Sequence, residues 1–171
     1  NVRKNMAMVF QFGALFDSMT VYENIMLALD SLTKLTREQK KNRVKEALSL
    51  VNLKDIENMY PSDISGGMKK RVGIARAISI NPKYVLYDEP TTGLDPINTD
   101  KMISLIKNIK VKDKVTSIIV THEMRIVNEL ANKVLMLHEG KVIFDGSPEE
   151  LNSSNDKYIR YFIRGKSRGV K

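Results

Sequence analysis

Two carboxylates, Asp88 and Glu89, stand side by side at the end of an apolar run, Tyr84-Val85-Leu86-Tyr87. Successive residues of a strand face opposite ways, so neighbouring acids at its end are aimed at different tasks. Open α/β sheets bind their ligands at that carboxyl edge. There Asp88 can serve Mg²⁺ through water, because Mg²⁺ keeps much of its hydration shell. Glu89 can orient and deprotonate an attacking water. Taken alone, the pair reads first as a plain cap at a strand end. Ile64-Ser65-Gly66-Gly67-Met68 is a second feature, a hydroxyl and two glycines at a helix start. Free N–H groups and the positive dipole end make such a start an anion site, and glycines let a phosphate come close. A Ser-capped helix after a glycine turn fits the same letters equally well. Thr121-His122 follows the apolar run Val115–Val120, where a His can hydrogen-bond a γ-phosphate or simply end the strand. Gln11 ends Met6-Ala7-Met8-Val9-Phe10 in the same manner. An amide there can sense Mg²⁺ or the water, although a lone Gln has almost no specificity.

The elements that must hold these residues follow from hydrophobic period. Met6–Phe10 reads as a short buried strand ending at Gln11. Val21, Ile25 and Leu29 share one helical face behind Thr20, a suitable N-cap. Thr36-Arg37-Glu38-Gln39 matches a capping box, and the helix after it turns Val44, Leu48 and Val51 inward and ends near Leu53. Residues 14 to 60 thus read as a helical insertion, polar outside and apolar within. After a break at Tyr60-Pro61, the helix behind Ser65-Gly66-Gly67 buries Val72, Ala75 and Ile78. From Tyr84 onward, strands alternate with helices. The strands are Tyr84–Asp88, Val115–Val120, Val134–His138 and Val142–Asp145. The helices run from about Pro96 to Ile109, with Met102, Leu105, Ile106 and Ile109 inward, and from about Glu123 to Ala131. Glu139-Gly140 turns the last two strands into a hairpin. Near-continuous apolar strands separated by helices predict an α/β fold with a mainly parallel sheet.

Bulk properties narrow the classes. A chain of 171 residues with 42% hydrophobic and 28% charged content is long enough for one ordinary globular domain, or one domain plus a small appendage. No apolar run reaches the roughly 18 residues of a spanning helix, so work at a membrane would go through a partner. The chain has no cysteine, which excludes disulfides and thiolate metal sites and fits the cytosol. A net charge of +8 invites nucleic acid as a partner, but its distribution does not. Lys34, Arg37, Lys40, Lys41, Arg43 and Lys45 fall on one polar helix with Glu38 and Glu46. Lys157, Arg160, Arg164, Lys166, Arg168 and Lys171 crowd the C-terminal tail. The only aromatics among them, Tyr158, Tyr161 and Phe162, have helical spacing. Solvated faces are the expected reading, ahead of anionic lipid or a partner loop, and nucleic acid is not expected.

The order of the pieces is more specific than any one of them. Gln11, a helical insertion, Ser65-Gly66-Gly67, Asp88-Glu89-Pro90, Gly93-Leu94-Asp95-Pro96 and His122 together closely resemble the ATP-binding-cassette (ABC) ATPases, over essentially the whole chain. The resemblance implies a mainly parallel sheet of P-loop NTPase type flanked by helices, with an α-helical ABC subdomain. Residues 1–13 would close the core up to the Q-loop, 14–80 would form the helical subdomain with the signature motif, and 81–171 the remaining core and tail. In that light Gln11 resembles the Q-loop glutamine and, with Asp88, would serve Mg²⁺. Tyr84–Glu89 resembles Walker B, with Glu89 as general base. Asp95 falls in the D-loop, and His122 is the switch histidine. Ser65, Gly66, Gly67 and Met68 resemble the signature, which meets ATP held by a partner subunit; Ile64 and Met68 stand where Leu and Gln are commonest. Phe10–Val21, Ser65–Met68, Tyr87–Pro96 and Tyr158–Gly165 are further similar to the Mla/Mce-type phospholipid-transport ATPases. That resemblance implies ATP and Mg²⁺, a head-to-tail ATPase dimer, permease subunits, an Mce-type lipid-binding protein, and a peripheral place on the cytoplasmic face of the inner membrane. Other ABC roles stay open: import of amino acids or metals, a non-transport ATPase, or a degenerate regulatory module.

A P-loop requires Gly-x₄-Gly-Lys-Ser/Thr between a strand and a helix. The Gly-Lys-Ser of this chain, Gly165-Lys166-Ser167, has Arg160 where the first glycine belongs and lies in the basic tail. The family's P-loop precedes its Q-loop, so the expectation is an N-terminally truncated cassette that binds ATP weakly or not at all by itself. Micromolar ATP affinity of this chain would overturn that expectation.

Overall fold

The computed structural model describes residues 5–112 and 115–164, without the side chain of Lys112. Lys166, Arg168, Lys171 and the Gly165-Lys166-Ser167 triplet lie outside the described residues. The chain divides into two compact units, Asn1–Thr121 and His122–Lys171.

The first unit holds a three-stranded parallel sheet, β1 (Met6–Val9), β2 (Tyr84–Asp88) and β3 (Thr116–Val120), in the order β1-β2-β3. Val9 pairs with Tyr87, and Asp88 with Val120. Four helices accompany it: α1 (Val21–Leu32), α2 (Arg37–Leu50), α3 (Gly66–Ile78) and α4 (Pro96–Lys112), with a 3₁₀ turn at Pro61–Asp63. Capping chemistry sets the helix starts. Thr20 and Thr36 each close a reciprocal box, with Glu23 and Gln39, satisfying two orphan donors apiece. Ser65 caps α3 by accepting from the Met68 N–H at 3.3 Å. Helices α1, α2 and α3 pack on one another, and α3 also packs on β1. The faces expected inward are buried: Val21, Ile25 and Leu29 of α1; Val44 and Leu48 of α2, with Val51 just after it; Val72, Ala75 and Ile78 of α3; Met102, Leu105, Ile106 and Ile109 of α4.

One expectation is corrected. Met6–Phe10 is not buried on both sides; β1 stops at Val9 and buries only alternate residues, Ala7 and Val9. The paired register carries this across the sheet. Ala7, Val9, Val85 and Tyr87 point into the core, whereas Met6, Met8, Tyr84, Ile118 and Val120 share the other face and are 39–61% exposed. An apolar sequence shows that a residue tolerates burial, but an element must lie over it to bury it, and strand period alone does not reveal which face has that cover.

In the second unit, α5 (Met124–Leu130) precedes an antiparallel hairpin of β4 (Val134–His138) and β5 (Lys141–Gly146), and α6 (Pro148–Asn152) and α7 (Lys157–Ile163) follow. Glu139 and Gly140 turn the hairpin with φ of 46° and 74°, the two left-handed residues of a hairpin turn. A small core gathers Met136, Leu151 and Ile159 under Val127, Val134, Phe144 and Tyr158. Tyr158 stacks on His138 at 3.9 Å between ring centroids. No described helix is long and apolar enough to cross a membrane.

Candidate functional site

Strand β2 delivers Asp88 and Glu89 as its letters predict, but the backbone turns sharply between them. Glu89 has φ +45°, a left-handed conformation that costs a non-glycine residue about 1–2 kcal/mol. Surrounding hydrogen bonds hold it there. The Glu89 N–H donates to the Val120 carbonyl at 3.0 Å, and the Thr92 N–H donates to the Glu89 carbonyl at 3.4 Å. The Thr92 hydroxyl donates to Glu89 Oε2 at 3.0 Å. A left-handed residue at a strand end persists only where the surrounding bonds over-determine it, as they do here. Asp88 and Glu89 are both half-buried. Asp88 lies on the open face of the sheet, in line with Met6, Met8 and Val120 by strand alternation.

Gln11 follows β1 in a turn that rests directly on α3. Gly13 has φ +80°, and a Cβ there would stand 2.7 Å from the Lys69 carbonyl oxygen. A Cβ on Gly73 would stand 2.9 Å from Gly13 Cα, so backbone meets backbone without side chains between. The Arg76 guanidinium donates to the carbonyls of Ala14 (2.8 Å) and Gly13 (2.9 Å). Burial pushes the Arg76 pKa below its usual value, and the two carbonyl bonds favour the charged form. Asn24, fully buried, holds the continuation of the turn: its side chain accepts from the Phe16 N–H at 2.8 Å and donates to the carbonyls of Phe16, Met19 and Thr20.

At the N-terminus of α3 the glycines have a different character. A Cβ on Gly66 would meet nothing within 4 Å, and one on Gly67 only Leu94 Cδ2 at 3.7 Å. Packing within the chain therefore does not require glycine at either position. Both line a cleft of about 710 Å³ together with Ser65, Lys69, Arg71 and Asp95. Asp95 accepts from the Asn98 N–H at 2.9 Å and so caps α4, with Pro96 at the first helical position. Hydrogen bonds from the Asn98 backbone N–H, and then from its side-chain amide, hold the Asp95 carboxyl below the usual range. Asp95 thus has a structural task that the sequence pattern did not single out.

The structure gathers Ser65, Gly66, Gly67 and Asp95 on one cleft. It leaves Met68, as well as Gln11, Asp88 and Glu89 at the strand ends, outside its lining. His122 opens the second unit and is exposed. Sequence reasoning missed three residues that hold the site: Lys70, Thr92 and Arg76. Lys70 carried a signal, because it precedes Ile74 and Ile78 by four and eight residues on an apolar face where a lysine is out of place. Arg76 carried none, since its partners are backbone carbonyls brought in by the fold, and the Thr92 hydroxyl, three residues from Glu89, has a local partner that its letter alone does not single out. Among the described residues, no group of three or more His, Asp or Glu could hold a metal ion. Asp88 and Gln11 are hard oxygen donors of the kind Mg²⁺ accepts, and so few of them fit an ion that keeps waters and phosphate oxygens as its other ligands.

Comparison with known proteins bears on this arrangement. The family model described as "ABC transporter" matches residues 1–92. A methionine import ATP-binding protein MetN of Carboxydothermus hydrogenoformans is 44% identical over 146 residues, 85% of this chain and 43% of that protein. MetN 1 of Staphylococcus aureus (strain USA300) is 39% identical over 153 residues, 90% of this chain and 45% of that protein. The chain thus spans less than half the length of these curated relatives. Among solved structures, the dimeric post-hydrolysis ATP-binding cassette MJ0796 bound to ADP and Pi aligns with a TM-score of 0.77 at 30% identity, over 86% of this chain and 65% of that one. CbiO1 of Clostridium perfringens, part of the transporter complex cbiONQ, aligns with a TM-score of 0.78 at 29% identity, over 95% and 64%. These two curated relatives carry methionine-import names, which corrects the phospholipid-transport kinship drawn from Phe10–Val21, Ser65–Met68, Tyr87–Pro96 and Tyr158–Gly165. Two residues of the first stretch are set by local structure, Gly13 by its approach to α3 and Thr20 by the α1 cap. Such residues report the fold of the turn and say nothing about a cargo.

Proposed function

The chain belongs to the ABC transporter family, and from that membership we propose that the protein carrying it is the ATP-hydrolysing subunit of an importer. The observation that carries this reading is the pair of glycines at the capped start of α3. Neither is needed for packing, and both face a cleft where free N–H groups can receive a phosphate. In the proposed roles, Ser65, Gly66, Gly67 and Met68 close on ATP held by a second copy in a head-to-tail dimer. Glu89 takes a proton from the attacking water, His122 holds the γ-phosphate and that water, and Asp88 with Gln11 serves Mg²⁺. Mg²⁺, when bound, would neutralise charge on the phosphates. Asp95 keeps the loop between the two sites in place by capping α4.

For the cargo we favour an amino acid of the methionine kind over phospholipid, because the relatives at 37–44% identity are named for methionine import. The segment after Gln11 exposes Phe12 at 74% and Phe16 at 50%. These apolar side chains suit the docking of a membrane-embedded permease, which would place the subunit on the cytoplasmic face of its membrane. An Mce-type partner has no support among these relatives. The test is Glu89→Gln in the whole protein. ATP hydrolysis is expected to fall at least about 10³-fold while ATP binding is kept; turnover at the wild-type rate would overturn the assignment. Uptake of labelled methionine by vesicles carrying the assembled transporter tests the cargo.

A further inference from the structure

Lys70 occupies an unfavourable place. It lies in the second turn of α3, near the positive end of the helix dipole, and is only 6% exposed. Both circumstances disfavour an ammonium group unless hydrogen bonds compensate. Its ammonium donates to the Thr92 carbonyl at 2.7 Å and to the Pro90 carbonyl at 3.3 Å. Those carbonyls flank Thr91, itself buried, in the turn immediately after Glu89. Thr92 in turn reaches back to Glu89 through both its N–H and its hydroxyl. A continuous line of bonds thus runs from helix α3 through Thr92 to the Glu89 carboxylate.

We infer that Lys70 is a positioning residue for Glu89, holding the Pro90–Thr92 turn so that the Thr92 hydroxyl sets the direction of the carboxylate. The inference rests on the hydrolase reading proposed above. It also ties the two halves of that reading together. Lys70 follows Ser65 by five residues on one helix, so the start of α3 on the cleft and the turn that aims Glu89 are parts of one braced piece. A side chain that only filled space here would be a methionine or leucine, which costs nothing to bury.

The test is steady-state ATP hydrolysis by the whole protein in five variants beside wild type: Lys70→Met, Lys70→Arg, Thr92→Val, the Lys70→Met/Thr92→Val double, and Glu89→Gln. Lys70→Met and Thr92→Val are each expected to lower kcat about 10- to 100-fold, the scale on which misplacement of a catalytic group acts. KM for ATP should change less than kcat does, since the loss is expected in the transition state although Lys70 and Thr92 also line the cleft. Lys70→Arg keeps donors for both carbonyls and should recover at least about half of the lost activity on a logarithmic scale. The double variant should be no worse than the poorer single, because both act through one bond line. Wild-type kcat in both single variants, or losses that multiply in the double, would overturn the inference. If Lys70→Met fails to fold by near-ultraviolet circular dichroism, Thr92→Val, which removes one half-buried hydroxyl, carries the kcat readout and Lys70→Arg the rescue. Absence of ATP hydrolysis in wild type would instead defeat the hydrolase reading itself, and equal turnover in wild type and Glu89→Gln would defeat the Glu89 assignment; either outcome takes this inference with it.

Discussion

At Gly13 and Gly73 a methyl group would collide with backbone, whereas at Gly66 and Gly67 it would have room. The letters are identical and the physics is opposite. Gly73→Ala gains helix propensity of up to about 1 kcal/mol but forces the Gly13 turn away from α3, an overpacking that costs roughly 1–3 kcal/mol. The variant is therefore expected to melt lower than wild type by thermal denaturation. Gly66→Ala has only the propensity gain to register, so it should melt at the same temperature or slightly higher. Its added methyl nevertheless stands where a phosphate would approach, and ATP hydrolysis by the whole protein should fall at least about tenfold. Loss of stability in Gly66→Ala, or unchanged hydrolysis, would remove the ligand-based account of that glycine. Sequence alone could not have told the two pairs apart, because the distinction lies in what stands opposite each Cα.

At the scale of elements, the Thr36 capping box is readable from four letters and forms as written, whereas Thr20, read only as an N-cap, also closes a box with Glu23. Glu23 of the Thr20 box titrates. The Thr20 backbone N–H, and then its hydroxyl, donate to the Glu23 carboxylate and hold it below its ordinary 4.5. A depressed folded value contributes stability above the unfolded pKa that is lost as pH falls through the folded one. Glu23→Gln mimics the protonated box, so wild type should melt higher than the variant at neutral pH. The two melting temperatures should converge as pH falls below 4.5 through the depressed folded value; a gap that does not narrow at all as pH falls would refute the linkage. The basic helix belongs at this scale too. Lys40 pairs with Asp30 at 2.6 Å, and Arg43 pairs with Glu46 and donates to the Ser79 carbonyl. These two cations are engaged within the fold, which supports a solvated face over a nucleic-acid footprint.

For the whole molecule, the proposed head-to-tail pairing makes a further prediction: the Glu89→Gln protein with Mg-ATP should elute as a dimer in size-exclusion chromatography, and Gly67→Asp should leave it monomeric by setting a carboxylate against phosphate. The hydrophobic period and capping letters by themselves determined the helices of the first unit, helix α5, the later strands and the hairpin, because each rests on contacts within a few residues or on one face's apolar repeat; the short helices α6 and α7 were not placed. The order of Gln11, Ser65-Gly66-Gly67, Asp88-Glu89, Asp95 and His122 determined the family for the same reason: it is a linear property. Only the tertiary structure decided which face of the sheet is covered, which glycines the fold requires, and that Lys70 and Arg76 hold the turns after Glu89 and Gln11. Those depend on backbone carbonyls and surfaces brought together from 20 to 63 residues away, and a carbonyl leaves no mark in a sequence.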